Sequence, residues 1–396
     1  MQRVITGLEQ FSTEKNIQSR IKGRTGLLCH AASLTPDFEH AAIHFKKILG
    51  KNLVSLFGPQ HGFVTDVQDN MIETKHFIHP YFKIPVYSLY SETRIPTDEM
   101  LEGLDTLVID LQDVGTRVYT YITTLGLIID SLHKKNIKLV ILDRPNPVSG
   151  NFVEGNVLEP EWKSFVGHLE MPMRHALTMG EVAKLKMLQE HRDVEIDIVT
   201  MKNWKRDMYF QDTGLPWVNP SPNLPTMEGS IAYCGTVLFE GCSVSEGRGT
   251  TRSLEILGAA GIEPFAFADK VKEKMQKFGI EGAVCRPQAF VPTFHKYAGK
   301  TCGGVQIQIT DPTRFEAWKL GQILLRTFKT ELGNDFQWSE KPYEYQFDRL
   351  AIDFINGSET LRHWVDNDGT PEALNQLAQR GMPKYLEQKK SCELYS

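Results

Sequence analysis

The sequence has no long apolar run, no strong excess of either charge and few cysteines. Nowhere does it offer the ~20 consecutive apolar residues of a membrane span, and its first residues lack the apolar core of a signal peptide. Lys and Arg number 44 against 49 Asp and Glu, a net charge of -5 that gives no reason to expect a nucleic-acid partner. If the chain is complete, we therefore expect a cytoplasmic protein that binds neither nucleic acid nor membrane.

The sequence also lacks the common signatures of metal, nucleotide and nucleophile sites. The six cysteines are scattered without a CxxC pair, so we expect free, mostly buried thiols, although a hairpin could bring Cys234 and Cys242 together. His76 and His79 have no third ligand in recognisable spacing. No GxGxxG, GxxxxGK[ST] or GxSxG motif is present. These absences predict no cofactor and no metal, and they disfavour serine hydrolase chemistry.

Apolar runs that end in polar turns dominate the first half of the chain. The run 107–109 is typical of a strand buried on both faces and is followed by Asp110, Gln112, Asp113 and Arg117. Runs at 54–57, 85–90 and 138–143 also end in polar side chains, and helical segments are predicted at 37–49 and 118–136. This alternation predicts an α/β fold with a Rossmann-like, mostly parallel sheet and helices on both faces.

The second half of the chain follows a different pattern. A helix at 177–189, with Thr178 and Glu181 as a capping box, and a strand at 196–201 precede the proline-rich segment 215–226. Beyond it we expect helices at 264–279, 315–332 and 371–380 and a half-exposed antiparallel strand at 303–311. A chain of 396 residues is long for one core. We therefore predict an N-terminal domain over 1–228 and a smaller α+β domain over 229–396.

Two sets of polar residues are candidates for chemistry. The segment 240–252, EGCSVSEGRGTTR, combines glycines with a carboxylate, an arginine and hydroxyls, which suits a binding loop but could also be an ion pair that holds a tight turn. The first domain contributes His61 and the carboxylates Glu73, Asp110, Asp113 and Glu154. Most glycoside hydrolases use a pair of carboxylates, one as acid and one as base or nucleophile. The carboxylates alone are weak evidence for this activity.

Ten motifs, in order along nearly the whole chain, resemble one known family. They are GLLCHAAS (26–33), LFGPQHGF (56–63), PVYSLY (85–90), PTDEML (96–101), DLQDVGTRVYTYI (110–122), LDRPNP (142–147), SFVGHLEMPMRHALTMGE (164–181), TGLPWVNPSPNLPT (213–226), EGCSVSEGRGTTR (240–252) and PTFHKYAGKTCGGVQIQITD (292–311). The chain resembles the DUF1343 family, which includes the NamZ-type exo-β-N-acetylmuramidases. The resemblance implies an active-site cleft between the two domains and release of N-acetylmuramic acid from the non-reducing ends of peptidoglycan fragments.

The resemblance also implies roles for individual residues, with one departure. The family's usual PEHG reads PQHG here, so Gln60 stands at a glutamate position and cannot exchange a proton. We expect Glu73 to be the general acid, His61 with Gln60 to orient it or the substrate, and Asp113 to be the second carboxylate. The remaining predicted substrate-binding residues include arginines suited to the lactyl carboxylate; they are Arg117, Tyr119, Arg144, Asn146, Arg174, His175, Asn223, Glu246, Arg248 and Thr251.

Two other functions fit the same residues. A sugar-binding or regulatory protein of the same fold could have lost the acid at position 60, and an amidase or esterase could use the same cleft. The sequence leaves open the oligomeric state and whether hydrolysis retains or inverts the anomeric centre.

Overall fold

A computed structural model describes residues 2–66, 68, 72–344 and 346–396. In chain order, the strands of these residues are β1 (Thr25–Cys29), β2 (Leu53–Gly58), β3 (Phe77–Ile78), β4 (Pro85–Ser88), β5 (Thr106–Asp110), β6 (Lys138–Leu142), β7 (Glu154–Val157), β8 (Pro172–Arg174), β9 (Ile196–Val199), β10 (Ile256–Ala259), β11 (Ala283–Phe290) and β12 (Cys302–Ile309). The helices are α1 (Gly7–Thr13), α2 (Lys15–Gln18), α3 (Ala41–Leu49), α4 (Asp98–Leu101), α5 (Tyr121–Leu132), α6 (Met179–Glu190), α7 (Met227–Thr236), α8 (Pro264–Phe278), α9 (Ala317–Leu332), α10 (Ala351–Asn356), α11 (Thr360–Asp366), α12 (Pro371–Ala378) and α13 (Met382–Cys392).

The largest sheet lies in the first half of the chain. Among the described residues it has seven strands in the order β3-β4-β2-β1-β5-β6-β9, and every pair is parallel except the edge pair β3 and β4. Alternate residues of β5 enter different cores: Leu107 and Ile109 pack with α5 and α6, whereas Val108 packs with α1 and α3. Helices therefore cover both faces, and the predicted α/β fold class is confirmed.

Local signals explain where the helices of this half begin and end. The predicted capping box opens α6, since the Thr178 side chain accepts from the Glu181 N–H and the Glu181 side chain accepts from the Thr178 N–H. Helix α5 is shorter than predicted, because residues 118–120 form a turn before it and Lys134 takes a left-handed φ of 59° after it. Helix α3 likewise begins at Ala41 and not at residue 37, since Phe38 has a φ of 65°.

The second half of the chain has its own sheet, with the order β10-β12-β11 and antiparallel pairing. The prediction of a half-exposed strand at 303–311 is wrong: β12 is central and buried from Cys302 to Ile307, where Gln306 accepts a hydrogen bond from Arg286. Helices α7 and α9 approach each other closely at Gly235, which has no Cβ. A Cβ at this position would lie 1.9 Å from the Ala317 carbonyl oxygen. This mixed region is the predicted α+β part of the chain.

The segment between the two sheets joins the halves without regular strands or helices over 214–226. Helix α7 begins at Met227, so the predicted domain boundary at 228/229 falls in its first turn and stays a prediction. All six cysteines are buried free thiols, as expected. No helix in the described part of the chain combines the length and apolar character needed to cross a bilayer.

Candidate active site

A pocket lies where the two halves of the chain meet. The first half supplies the turn after β2, the turn before α5 and the proline-rich segment. The second half supplies α7, the 3-10 turn Val237–Gly241, residues 343–344 and the segment 240–252, which we call the glycine loop. Five predicted site residues line this pocket: Gln60, His61, Tyr119, Asn223 and Arg248. Two carboxylates that sequence reasoning missed, Glu240 and Glu344, line it as well.

Glu344 is a buried carboxylate that faces residues of the first half. The Tyr90 hydroxyl lies 3.0 and 2.9 Å from its two oxygens, and the Gln60 side-chain amide donates to it over 3.2 Å. Burial raises the pKa of Glu344 to about 7, although the bond from Tyr90 and the charge of Arg94 act in the opposite direction. A carboxyl group with this pKa can carry or release a proton near neutral pH.

Glu240 is held by two donors. Arg248 Nη2 donates to one of its oxygens over 2.6 Å, and the Tyr343 hydroxyl donates to the other over 2.7 Å. These are short contacts, as charge-assisted hydrogen bonds are. The pocket therefore contains one carboxylate paired with an arginine and a second bonded to a tyrosine and an amide, and two carboxylates in different surroundings suit separate acid and base roles.

The glycine loop fixes Arg248 with a second acid behind it. Arg248 Nε lies 3.1 Å from Glu246, which also contacts Lys296 Nζ at 2.8 Å and His295 Nδ1 at 3.3 Å. Burial opposes ionisation of Glu246, but Lys296, His295 and Arg248 hold its pKa well below the usual range. The loop therefore contains an ion-pair network and lines the pocket through Glu240 and Arg248, and its role as a binding loop stays a prediction. Among the described residues, the buried Nη1 of Arg248 has no hydrogen-bond partner.

The turn after β2 presents Gln60 and His61 to the pocket. The side-chain oxygen of Gln60, Oε1, accepts a hydrogen bond from the Thr120 hydroxyl over 2.6 Å, so the side-chain nitrogen Nε2 faces Glu344. His61 has a left-handed φ of 70°, and its Nε2 lies 3.3 Å from Ser221 Oγ. A strained backbone at a non-glycine residue is a common feature of functional turns.

Tyrosines form one wall of the pocket. Tyr119 and Tyr233 meet edge to face with ring centroids 6.2 Å apart, and the Tyr119 hydroxyl donates to the Pro220 carbonyl over 2.8 Å. Asn223 donates to the Gln68 carbonyl over 2.6 Å, so this amide is already engaged. Tyrosine rings beside polar groups suit the apolar face and the hydroxyls of a sugar ring.

Glu73, the predicted general acid, lies outside the described lining of this pocket. Its side chain is 45% exposed, and its Oε1 lies 3.5 Å from Arg94 Nη1. It lines a separate depression with Gly58, Gly62 and Thr74. Arg94 in turn stacks on the Tyr90 ring at 4.2 Å, which connects Glu73 indirectly to Glu344. The catalytic role of Glu73 stays a prediction.

Asp113 and His175 lie together outside the described lining of the pocket. One Asp113 oxygen accepts from the Gly115 N–H over 2.7 Å and lies 3.3 Å from His175 Nε2. The ring nitrogen Nδ1 of His175 accepts from the Leu177 N–H. Asn146 similarly bridges backbone groups of Val148 and Leu177. These contacts support the loops that follow β5, β6 and β8.

Three of the four predicted arginines form hydrogen bonds to other groups of the protein. Arg117 is fully buried and donates to the carbonyls of Asn156, Met171 and Ile355, and burial lowers its pKa to about 9. Arg174 is fully buried and donates to the Val148 carbonyl and to Tyr209. Arg144 forms a bidentate pair with Asp110 at 2.6 and 2.9 Å and lines a neighbouring pocket. Of the four, Arg248 reaches the candidate active site.

Thr251 lies at the exposed end of the glycine loop, away from the described lining.

The pocket residues that were not predicted differ in whether the sequence carried a signal for them. Glu240 begins the motif 240–252 and carried a readable signal, whereas Glu344 and Tyr343 sit in a segment without a motif. Tyr90 ends the quoted PVYSLY run, but nothing in the sequence pairs it with a residue 254 positions away.

Within the described ranges, one group of side chains has the spacing of a metal site. Ligand atoms of Asp130, His168 and Glu190 lie within 4.8 Å of one another. The buried ammonium of Lys186 already occupies their centre, 2.9 Å from Asp130 and 2.9 Å from His168 Nε2, and it also pairs with Glu190. The lysine ammonium neutralises the two acids and occupies the space that a metal ion would need, so this group does not suit a metal site.

This arrangement of a Rossmann-like sheet with a polar pocket of two carboxylates, tyrosines and an arginine defines a candidate carbohydrate-active hydrolase. The chain belongs to the exo-β-N-acetylmuramidase NamZ family: its N-terminal domain profile matches residues 25–228 and its C-terminal domain profile matches residues 231–395. The resemblance predicted from the sequence motifs is thereby confirmed.

Relatives of known name or structure match over nearly full length. The chain is 36% identical to the peptidoglycan β-N-acetylmuramidase NamZ of Bacillus subtilis over 99% of this chain and 92% of that protein. A crystal structure of a DUF1343 protein from Bacteroides fragilis superposes with a TM-score of 0.86 at 27% identity, covering 100% of this chain and 99% of the other. A second such protein from the same organism has a TM-score of 0.74 at 24% identity, covers 100% and 99%, and shows the fold alone.

Proposed function

We propose that this protein is a glycosidase that releases N-acetylmuramic acid from the non-reducing end of peptidoglycan-derived fragments, in the pocket between the two halves of the chain. Family membership over both halves supports a glycosidase, and the name of the Bacillus subtilis relative supports the sugar. The observation that carries the proposal is the joint presence of Glu240, Glu344 and Arg248 in one pocket.

Each part of the substrate has a matching group. The lactyl carboxylate of muramic acid meets Arg248, whose Nη1 is buried and has no hydrogen-bond partner among the described residues. The pyranose ring packs against the tyrosine wall, and His61 and Gln60 contact the sugar or the reacting groups. The two carboxylates supply the acid and the base that hydrolysis of a glycosidic bond requires. Glu73 stays the candidate acid from the sequence, and its role is tested beside that of Glu344.

Free cysteines support placing this reaction in the cytoplasm, because disulfides are rare in that reducing compartment. A second function is favoured by one observation. Gln60 is an amide at a position where the family resemblance implies an acid, so a protein that binds muramyl sugars without cleaving them would keep the same pocket. The two functions differ in turnover and not in ligand.

A chromogenic aryl β-N-acetylmuraminide tests the proposal, with the matching β-N-acetylglucosaminide as the control substrate. The purified protein is expected to release the aryl alcohol from the muraminide and to discriminate against the glucosaminide. Binding of N-acetylmuramic acid without turnover of either substrate would favour the binding protein. Turnover of the glucosaminide alone would contradict the assigned sugar.

A further inference from the structure

Position 60 is in direct contact with a carboxylate from the other end of the chain. The Gln60 amide cannot take part in proton transfer, but it donates to Glu344 over 3.2 Å, across 284 residues of sequence. Thr120 holds the other end of the same amide over 2.6 Å. Position 60 is therefore next to a carboxylate that a segment distant in sequence contributes.

The surroundings of Glu344 suit a proton donor. Its side chain is 4% exposed and lines the same pocket as Glu240 and Arg248. Tyr90 contacts both carboxyl oxygens from the turn after β4. The backbone of Glu344 has a left-handed φ of 44°, so a non-glycine residue is held in an unfavourable conformation at this point.

We propose that Glu344 is the general acid of this glycosidase and that Gln60, with Tyr90, positions its carboxyl group. The proposal rests on the proposed function and adds to it the identity of the proton donor. Its carboxyl group reaches the Gln60 side of the pocket from a segment that is distant in sequence.

The charges around Glu344 set the pH range in which it can donate. Burial raises its pKa to about 7. The bonds from Tyr90 and Gln60 and the charge of Arg94 act to lower that pKa, while the charge of Glu240 acts to raise it. A substantial fraction of Glu344 is therefore protonated at neutral pH, whereas an ordinary glutamate with a pKa of about 4.3 would be almost fully ionised.

The proton and electron movements of the step balance. The bond between the anomeric carbon and the glycosidic oxygen breaks, and its electron pair stays on the oxygen, which takes the proton of Glu344 and leaves as an alcohol. Water adds to the anomeric carbon and gives one proton to Glu240. Glu344 then regains a proton and Glu240 releases one to solvent. The net change is one water consumed for each glycosidic bond broken.

Substrates with different leaving groups separate acid catalysis from other roles. A sugar leaving group needs protonation, whereas a dinitrophenolate leaves without it. Glu344→Gln is expected to lower kcat on the muramyl-glucosamine disaccharide by about 10²- to 10⁴-fold and to lower kcat on a dinitrophenyl muraminide far less. Glu340→Gln, an exposed glutamate four residues earlier, serves as the matched control and is expected to leave both rates unchanged.

The pH profile gives a second readout that a structural role would not produce. In the wild type, kcat on the disaccharide is expected to fall as the pH rises through about 7, because the acid loses its proton there. Glu344→Gln is expected to remove this basic limb. Tyr90→Phe removes a bond that favours the ionised carboxylate, so it is expected to move the limb to higher pH while the protein stays folded.

Other outcomes overturn the proposal and are distinguishable from failure of the function itself. Wild-type disaccharide turnover with equal losses on both substrates in Glu344→Gln would mean that Glu344 is not the proton donor. The same holds if Glu73→Gln shows the leaving-group-dependent loss and Glu344→Gln does not. If Glu344→Gln fails to fold, an unmoved basic limb in Tyr90→Phe overturns the proposal. Failure of the proposed function would instead appear as absent turnover in the wild type.

Discussion

Replacement of Arg248 by lysine tests how the pocket recognises muramic acid. Arg248 Nη2 lies 2.6 Å from Glu240 and its Nε lies 3.1 Å from Glu246, whereas its buried Nη1 has no hydrogen-bond partner within the described part of the chain and is the group that we propose for the ligand carboxylate. An ammonium group keeps the charge but cannot hold both acids and present a further fixed N–H to a ligand. The variant therefore separates charge from geometry.

The magnitude follows from the contact that is lost. A hydrogen bond to a charged group contributes about 1.5 to 3 kcal/mol, which corresponds to about a 10- to 150-fold change in affinity. N-acetylglucosamine lacks the lactyl carboxylate and should lose little of this energy. We therefore expect Arg248→Lys to lower the ratio of the affinities for N-acetylmuramic acid and N-acetylglucosamine by that factor.

Calorimetric titration of both sugars into the wild type and the variant measures this ratio directly. Arg252→Lys is the matched control, because Arg252 lies in the same loop with a side chain that is 48% exposed and pairs with Glu255 at 3.3 Å. The control should leave the ratio unchanged. An unchanged ratio in folded Arg248→Lys would refute the assignment of Arg248 to the lactyl carboxylate.

Two further predictions concern stability. Glu246 has a folded-state pKa well below its usual 4.5, so its ionised form contributes stability that is fully present well above pH 4.5 and is lost as the pH falls towards the folded-state pKa. The difference in free energy of unfolding between wild type and Glu246→Gln should therefore shrink as the pH is lowered from about 5 to about 2 in urea titrations, and a constant difference over that range would contradict this. Arg117→Met should lower the free energy of unfolding by about 3 kcal/mol or more, because three buried carbonyls lose a charged donor. The affinity of the folded variant for muramic acid should be unchanged. Unchanged stability with a weakened affinity would instead place Arg117 in the binding site.

Periodicity and capping made the sheet predictable from the sequence. The unbroken apolar run of β5 is buried on both faces, and Thr178 with Glu181 marks the start of α6, because both signals are local. The exposure of β12 was not predictable in this way. Its burial depends on its central position in a sheet, which is a property of chain segments that are distant in sequence.

Site residues that lie in recognisable motifs could be predicted from the sequence. Site residues brought together by contacts between distant segments could not. Gln60, His61 and Arg248 lie in recognisable motifs and do line the pocket. The arginines 117 and 174 lie in motifs of similar quality, yet they bond to backbone carbonyls, since a motif does not distinguish a ligand contact from a buried structural one. Glu344 reaches Gln60 across 284 residues, and no local pattern encodes that contact.

The central claim is that this pocket cleaves muramic acid from non-reducing ends, and two isomeric disaccharides test it most directly. Incubation of the purified protein with N-acetylmuramyl-β-1,4-N-acetylglucosamine should yield both free sugars by chromatography and mass spectrometry. N-acetylglucosaminyl-β-1,4-N-acetylmuramic acid, which has the same composition but presents muramic acid at the reducing end, should remain intact. Cleavage of the second disaccharide, or of neither, would contradict the account.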